Sequence, residues 1–300
     1  YTNIMENQQP KFKHFIITLF NLKIWKEDKT HRATQTADWL AQRFDLFERF
    51  CLPSVAHQTN KNFTWLCLFD KDTPTDMRQR IERCQAQVPQ LKACFFTADE
   101  AVEFLSHEEA VNCRFIRRTV RALLSEDDAF VITSNLDNDD ALSNDYVERV
   151  QRQFVADQRH MLYSFVCGMQ YFVRLNAIVR MHYPHNHFLT LVEDARGDFH
   201  TVQYYGHAGA RKVLPNTDIA EKPYWLENVH GHNVSNELRI TSRVRYAPCL
   251  APVDLRQFGI DKQFSWALNL KNFLVTLPAY FVKIAIWRLK RKINKKKKQG

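Results

Sequence analysis

Three carboxylates stand close together at the end of an apolar run. Asp137, Asp139 and Asp140 follow segment 129–134, whose β-branched residues are typical of a buried strand. Acids this close repel one another unless positive charge lies among them, and hard divalent cations bind carboxylates together with substrate phosphates. Ligands of open α/β sheets collect at the carboxyl ends of strands. The pattern therefore indicates a metal–diphosphate site. A polar loop that ends a strand and caps a helix remains the plain alternative.

A predicted helix at 114–124 carries a stripe of arginines. They recur at i, i+3, i+4 and i+7, opposite the apolar residues of the helix: Arg114, Arg117, Arg118 and Arg121. A solvated basic face is the ordinary interpretation of such a stripe. Guanidinium groups also pair bidentately with phosphate oxygens, so Arg118 and Arg121 are candidate diphosphate contacts.

The elements that must position these groups alternate along the first half of the chain. Strands are predicted at 14–20, 63–69, 91–96 and 129–134, and helices at 37–57, 74–88 and 114–124. This order predicts parallel strands joined by crossover helices, which is an α/β fold with the acids at the end of its fourth strand. A helix at 144–156 and strands at 161–166, 170–173, 177–181, 188–192 and 199–204 are predicted to complete the same domain.

Composition narrows the class of protein. Three hundred residues at 45% hydrophobic suffice for one large domain or two modest ones. Seven scattered cysteines without a Cys-x-x-Cys pair favour a reducing compartment, and the polar N-terminus lacks the apolar core of a secretory leader, so we expect a cytoplasmic protein. The chain has only seven glycines and no Gly-rich phosphate loop, which disfavours kinases and dinucleotide enzymes.

The net charge of +9 is concentrated at one end. Residues 288–298 carry eight positive charges and no acid, which leaves +1 for the remainder of the chain. Proteins that bind nucleic acid spread basic residues over a binding face, so we expect no nucleic-acid partner.

Four segments resemble a known family. They are residues 14–22, 58–70 (Gln-Thr-Asn-Lys-Asn-Phe-Thr-Trp-Leu-Cys-Leu-Phe-Asp), 134–142 (Ser-Asn-Leu-Asp-Asn-Asp-Asp-Ala-Leu) and 225–236 (Trp-Leu-Glu-Asn-Val-His-Gly-His-Asn-Val-Ser-Asn). In these segments the chain is similar to GT-A-type glycosyltransferases, and more narrowly to the bacterial putative rhamnosyltransferase family. The last two segments are the most specific.

The resemblance implies a fold, a domain plan and a reaction. The fold is GT-A-like, a mixed sheet flanked by helices, over residues 13–262, with a donor half at 13–142 and an acceptor half at 143–262. Residues 1–12 would be an N-terminal extension and 263–300 a tail. The reaction is transfer of a sugar, with dTDP-rhamnose as the suspected donor, to a glycan or lipid-linked glycan in surface polysaccharide synthesis.

The resemblance also implies roles for particular residues. Asp137, Asp139 and His230 would bind Mn²⁺ or Mg²⁺. Asp137 and Asp140 would contact the diphosphate and the sugar, and Asp70 the nucleoside. The plain alternatives stay open: a structural histidine in a polar turn for His230, and a helix cap for Asp70.

An inverting transfer needs a carboxylate base on the acceptor hydroxyl. Asp194, with Glu193 as the alternate, resembles the Glu-Asp element where such enzymes keep this base. A loop acid before Gly197 is the plain alternative. Histidines crowd the same region without the spacing of a zinc site, and we interpret them as acceptor contacts or surface: His182, His185, His187, His200 and His207.

The C-terminus predicts an amphipathic basic helix. Apolar residues recur along it at helical spacing: Leu270, Phe273, Leu274, Leu277, Phe281 and Ile284. The apolar run is too short to span a bilayer, so a segment lying on the anionic inner face of the plasma membrane is the preferred interpretation. A helix packed on the domain with a solubilising tail is the alternative.

Two rival functions remain at this point. A nucleotidyltransferase on a related fold would use the same acids, but it usually needs a Gly-rich loop after the first strand. A non-catalytic membrane or nucleic-acid scaffold would act through the basic tail alone.

Overall fold

The computed structural model describes residues 11–24, 27, 33–109, 111–230, 243–283 and 285–286, without the side chains of 207 and 208. Its strands are β1 (Phe12–Leu19), β2 (Thr64–Asp70), β3 (Leu91–Phe96), β4 (Phe130–Asn135), β5 (Ala141–Leu142), β6 (Met161–Phe165), β7 (Cys167–Phe172), β8 (Ala177–His182), β9 (Leu189–Asp194), β10 (Asn216–Ile219), β11 (Trp225–Val229), β12 (Arg245–Ala247), β13 (Val253–Asp254) and β14 (Gln263–Phe264).

Helices alternate with the strands in the first half. They are α1 (Ala37–Leu46), α2 (Leu52–Ala56), α3 (Thr75–Gln87), α4 (Ala98–Val102), α5 (Arg114–Arg121), α6 (Tyr146–Asp157), α7 (Gly206–Val213) and α8 (Trp266–Lys271). A π-helical turn, Phe47–Cys51, joins α1 to α2, and another, Asn272–Thr276, follows α8; 3₁₀ turns lie at Glu103–Leu105, Val173–Leu175 and Leu255–Phe258.

The larger sheet has seven strands in the order β10-β6-β9-β4-β1-β2-β3. Strands β3, β2, β1 and β4 are parallel neighbours. Their side chains are buried on both faces: Ile16 packs with α1, α3 and α6, whereas Phe15 and Ile17 pack with α5. This arrangement follows from short, β-branched strands that alternate with amphipathic helices.

Strand β9 breaks the parallel order. It is antiparallel to β4 on one side and to β6 on the other. In its register Ser134 pairs with Thr190 and Phe130 pairs with Asp194. The start of β9 therefore meets the end of β4, where the three acids follow, and the end of β9 meets the start of β4.

A second, five-stranded sheet has the order β12-β8-β7-β11-β5. Its edge strand β5 follows directly after Asp140 and pairs antiparallel with β11, with Leu226 opposite Ala141. The pairing brings the residues that follow β11 back toward the acids. The acid-bearing loop thus lies between the two sheets.

The predicted α/β fold, a mixed sheet flanked by helices, is confirmed by this architecture. Most predicted elements lie within two residues of those observed. The strand predicted at 199–204 is wrong, because these residues form a turn before α7.

The C-terminal segment remains helical through 277–283 and packs on the second sheet. Phe273, Leu277 and Phe281 contact the cluster of Phe172 and Val179. The predicted basic run, 288–298, lies outside the described residues. Within the part of the chain that is described, no helix is both long and apolar enough to cross a membrane.

We predict that Gly168→Ala lowers stability sharply. A Cβ at Gly168 would lie 2.1–2.3 Å from ring atoms of Trp225, and this indole also stacks on Phe188 at 4.8 Å. Overpacking of this kind costs about 1–3 kcal/mol of unfolding free energy. Urea denaturation measures the loss. The matched control is Gly209→Ala in α7, where nothing lies within 4 Å of the new Cβ; an equal loss in both variants would contradict the argument.

Candidate functional site

The three acids occupy the loop between β4 and β5. Asp140 is fully buried, Asp139 is 4% exposed, and the side chain of Asp137 is 43% exposed. Only Asp137 therefore presents a substantial part of its carboxylate to solvent. Burying the other two requires partners, since an unpaired buried carboxylate is strongly destabilising.

Asp139 is satisfied from two directions. Its Oδ2 accepts hydrogen bonds from Arg43 Nη1 at 3.1 Å and from His230 Nε2 at 2.8 Å. Arg43 also donates to the Asn138 side chain, whose amide in turn donates to the Phe20 carbonyl at 3.0 Å. Asp139 thus joins α1, the end of β1 and the end of β11.

Arg43 reaches this place because α1 presents it inward. Leu40 and Phe44 on the same helix face are buried in the core, and the Arg43 side chain is also largely buried. Thr36 begins the helix by accepting a hydrogen bond from the Trp39 amide at 3.2 Å. The π-helical turn that follows keeps Phe47 against Phe20.

Asp137 and Asp140 form a different group with His187. One ligand atom from each of the three lies within 4.8 Å of the others. His187 Nε2 is 2.8 Å from Asp140 Oδ2 and 3.6 Å from Asp137 Oδ2. Two carboxylate oxygens and an imidazole nitrogen suit Mn²⁺, and Mg²⁺ would use the same carboxylates with waters and phosphates. These residues could hold a divalent cation.

The electrostatics of the acids differ. Burial acts to raise the pKa of Asp139, but the Arg43 charge and the His230 hydrogen bond outweigh it and hold that pKa below its usual range. Burial raises the pKa of Asp140, and the Asp139 and Asp137 charges act in the same direction, against the His187 hydrogen bond. Burial acts to lower the pKa of His187, but the Asp137 charge and the Asp140 hydrogen bond raise it to about 9. Asp139 therefore has Arg43 and His230 as partners, whereas Asp137 and Asp140 share the single positive charge of His187.

Amides fix the loop in place. The Asn135 amide nitrogen donates to Asp137 Oδ1 at 3.3 Å and to the His187 carbonyl at 3.0 Å. On the other side, the Asn228 backbone donates to Asp140 Oδ1 and its side chain donates to the Asp139 carbonyl, each at 2.8 Å. Each sheet thus supplies one asparagine that orients the acids.

Asp70 lies at the carboxyl end of β2, two strands along the sheet from β4. It is 2% exposed; its Oδ1 accepts from the Asp72 amide at 2.8 Å and lies 3.1 Å from Lys23 Nζ. Within the described residues its Oδ2 is buried without a hydrogen-bond partner. No side chain caps α3, so Asp70 is not its N-cap.

The predicted diphosphate arginines are occupied elsewhere. Arg118 is 58% exposed and pairs with Glu100 at 3.0 Å. Arg121 donates to the carbonyls of Ala195 and Gly197 and lies over the Phe199 ring. Ala195 follows β9, at the start of β4, so the structure does not bring Arg121 to the acids.

Asp194 and Glu193 are also distant from the acids. Asp194 pairs with Phe130 at the start of β4, and the strand up to Asn135 adds roughly 16 Å. Glu193 is buried, and its two oxygens accept from the amides of His200 and Thr201, each at 2.9 Å. Asp194 as the acceptor base stays a prediction that this geometry does not support.

Sequence reasoning missed two of the groups around the acids. The sequence contained a signal for Arg43, because this residue is a charge within the buried stripe of a predicted helix. The signal for His187 was weaker, because it was one of several histidines in the region. Only the antiparallel placement of β9 reveals that His187 meets the end of β4.

A family model described as "Putative rhamnosyl transferase" matches residues 17–242, about three quarters of the chain. The chain belongs to this family. The family is one of glycosyltransferases by its description, and the matched region contains every predicted site residue from Asp70 to His230.

Among solved structures, the chain is similar to two crystal structures of S. aureus TarS. The TarS 1–349 structure aligns at 11% identity and a TM-score of 0.39, over 73% of this chain and 60% of that one. A longer TarS structure aligns at 10% identity and the same TM-score, over 73% of this chain and 37% of that one. The chain thus spans less than two thirds of either TarS chain.

Apo mouse xyloside xylosyltransferase 1 aligns at 9% identity and a TM-score of 0.27, over 55% of this chain and 53% of that one. No curated protein matches the sequence at a significant level.

We predict that Arg43→Met destabilises the protein and that Asp139→Asn partly rescues it. Removing Arg43 leaves a buried carboxylate without its cation, which costs about 3–5 kcal/mol of unfolding free energy. Neutralising Asp139 in the same chain removes that unpaired charge. A double-mutant cycle by urea denaturation measures the coupling.

The control for this cycle is Arg118→Met. Its exposed pair with Glu100 is expected to contribute less than about 1 kcal/mol. Simple addition of the Arg43 and Asp139 losses would refute a direct interaction between them.

Proposed function

We propose that this family member transfers a hexosyl group from a nucleotide-diphosphate donor to a glycan acceptor, with the donor diphosphate bound at a divalent cation held by Asp137, Asp140 and His187. The observation that carries the proposal is this three-residue cluster at the carboxyl end of β4. Family membership supports the reaction class. The family description is the basis for rhamnose as the sugar, and dTDP-rhamnose is the donor that we propose.

The choice of Asp140 and His187 rests on the balance of charge. Asp139 already has Arg43 and His230 as partners. The remaining carboxylates, Asp137 and Asp140, have one imidazole between them. A cation there would supply the missing positive charge. The sequence-predicted set of Asp137, Asp139 and His230 shares one ligand with this group.

Each protein group has a task in the proposed transfer. A bound Mn²⁺ or Mg²⁺ supplies Lewis-acid stabilisation of the charge that develops on the departing diphosphate. Asp140, fixed by the Asn228 amide, anchors the inner side of the site. Asp137 is the more exposed acid and faces the incoming donor. Arg43 keeps Asp139 ionised and packed, so that the loop holds one shape.

The nucleoside would lie toward β2. In the sheet order, β1 separates β4 from β2, so Asp70 stands roughly 10 Å along the same edge from the acids. The buried Asp70 carboxylate has an oxygen available to a ribose hydroxyl or a base N–H. Lys23 beside it offers a cation to the phosphates.

We predict that Asp140→Asn and His187→Ala each weaken Mn²⁺ binding at least about 10-fold and abolish metal-dependent hydrolysis or transfer of the nucleotide sugar. Isothermal titration calorimetry with Mn²⁺ measures the affinity. The matched control is Asp198→Asn, an exposed acid paired with Arg117, which should bind Mn²⁺ like the wild type.

Asp139→Asn separates the two possible ligand sets. The present proposal expects this variant to lose stability while retaining Mn²⁺ affinity. A folded Asp139→Asn protein that loses Mn²⁺ binding as fully as Asp140→Asn would instead favour Asp137, Asp139 and His230.

We also propose that the C-terminal segment rests on an anionic membrane surface. Its helical stretch exposes apolar side chains to solvent: Trp266, Leu274, Val275, Val282 and Ile286. The basic run at 288–298 follows directly in the sequence. Exposed apolar groups beside clustered Lys and Arg are typical of segments that lie in a membrane interface. This placement suits a lipid-linked glycan acceptor.

We predict that deleting 288–300 releases the protein from vesicles without stopping turnover. Each Lys or Arg near an anionic leaflet contributes about 1 kcal/mol, so binding should weaken by orders of magnitude. Co-sedimentation with phosphatidylserine-containing vesicles measures it, with phosphatidylcholine vesicles and raised salt as controls. Unchanged sedimentation of the truncated chain would reject the role of the basic run.

A further inference from the structure

One segment beside the acids has no role in the function described so far. Residues 200–203 cross the face of the larger sheet along β4. Glu193, level with Val131, accepts from the amides of His200 and Thr201. Two further hydrogen bonds follow along the strand: Val202 N donates to Thr133 Oγ1 at 2.9 Å, and Gln203 Nε2 donates to Asn135 Oδ1 at 3.1 Å.

From His200 to Gln203, each successive hydrogen-bond partner lies nearer to the acids. Positions 131, 133 and 135 lie on one face of β4, because side chains alternate along a strand. Each step carries the segment closer to the carboxyl end. The last partner, Asn135, is also the residue that donates to Asp137. Gln203 therefore stands two hydrogen bonds from a proposed cation ligand.

Gln203 has an acceptor atom without a hydrogen-bond partner in the described part of the chain. The residue is 7% exposed, and its amide nitrogen is occupied by Asn135. Within the described residues, the buried Oε1 has no hydrogen-bond partner. Buried carbonyl oxygens are nearly always satisfied, so an unused one beside a ligand site points to a donor supplied by the ligand.

Aromatic residues flank Gln203 in the chain. The rings of His200 and Tyr204 stack with centroids 4.2 Å apart, and Tyr205 meets Tyr204 edge-on at 4.8 Å. All three are only partly buried. Asn112 donates to the Tyr204 carbonyl at 3.2 Å and fixes the group against the loop before α5. Tyrosine and histidine rings of this kind offer an apolar surface with polar tips.

The order along the sheet edge identifies the ligand. Strands run β2, β1, β4, β9, β6 across the sheet. Gln203 bonds to Asn135 of β4, and its neighbour Val202 packs with Leu191 of β9 and Leu162 of β6, so this segment lies on the side of β4 away from Asp70. A nucleotide sugar has the same sequence of parts: nucleoside, diphosphate, hexose. With the nucleoside at Asp70 and the diphosphate at the acids, the group that falls beside Gln203 is the hexose.

We propose that Gln203, with the rings of His200, Tyr204 and Tyr205, forms the subsite for the transferred hexose, in which the Gln203 carbonyl accepts a hydrogen bond from a sugar hydroxyl. The inference rests on the proposed function, since it takes the diphosphate site as given. A pyranose suits the subsite because it combines hydroxyl donors with an apolar C–H face that can pack on an aromatic ring.

The test compares each nucleoside diphosphate with its nucleotide hexose. Wild type and Gln203→Met are titrated with Mn²⁺ plus dTDP, UDP or GDP, and with dTDP-rhamnose, UDP-glucose or GDP-mannose. Methionine keeps the length of the side chain and removes the carbonyl. We expect Gln203→Met to bind the preferred nucleoside diphosphate as wild type does, and to bind the matching nucleotide hexose about 5- to 10-fold more weakly.

A second variant tests whether the effect of Gln203→Met arises instead from a shift of Asn135. Tyr204→Leu leaves the Gln203–Asn135 hydrogen bond in place and should produce the same selective loss for the nucleotide hexose. Gln85→Met, a half-buried glutamine in α3, is the matched control and should alter neither affinity.

The outcomes are distinct. Selective loss of hexose affinity in either subsite variant supports the proposal. Equal losses for diphosphate and nucleotide hexose, or no loss in either variant, overturn it while leaving the proposed function intact. A wild type that binds none of the six ligands with Mn²⁺ would refute the proposed function and the subsite together.

Discussion

Keeping three carboxylates side by side is the constraint on which this structure depends. Two unit charges 4 Å apart interact by about 4 kcal/mol at the effective dielectric of a protein surface, and more in its interior. The chain offsets this repulsion by giving the three carboxylates different partners. Asp139 receives Arg43 and His230, whereas Asp137 and Asp140 share His187. Asp139 therefore holds the loop, whereas Asp137 and Asp140, together with His187, could hold a divalent cation.

Strand β9 decides which residues meet at the site. Because it is antiparallel to β4, its first residues lie at the carboxyl end and its last residues at the opposite end. His187 therefore reaches the acids, and Asp194 does not. Glu193 remains relevant in another way, since its carboxylate holds the backbone of Thr201 at φ +80, an unusual conformation for a β-branched residue, and so directs the segment that ends at Gln203.

The sequence was sufficient for the parts of the fold that depend on local pattern. Segment 91–96 is observed as a strand at the predicted bounds, and the acids follow a buried strand as expected, because periodicity reports burial directly. The position of Asp70 at the end of β2 followed from the same logic.

Which residues meet at the site depends on strand direction and pairing, and a single sequence does not encode these locally. An antiparallel β9 could not be distinguished from a parallel one by its apolar residues, and Asp194 was assigned as the acceptor base by resemblance alone. The short strand β5 is two residues long and gave no periodic signal, although its pairing brings Asn228 and His230 to the loop. The arginine stripe on α5 was correctly seen as one face, but its partners are local acids and carbonyls.

Residues of both sheets form hydrogen bonds to the loop between β4 and β5, and this affects how the protein unfolds. Asn135 ends β4 and His187 precedes β9 of the larger sheet, whereas Asn228 lies in β11 of the smaller sheet and His230 follows it. Separating the sheets would remove His230 from Asp139 and the Asn228 amide from Asp140. Ile132 of the larger sheet and Trp225 of the smaller one also belong to one hydrophobic cluster. Neither sheet can therefore unfold alone at low cost, and the two are expected to unfold in one cooperative step.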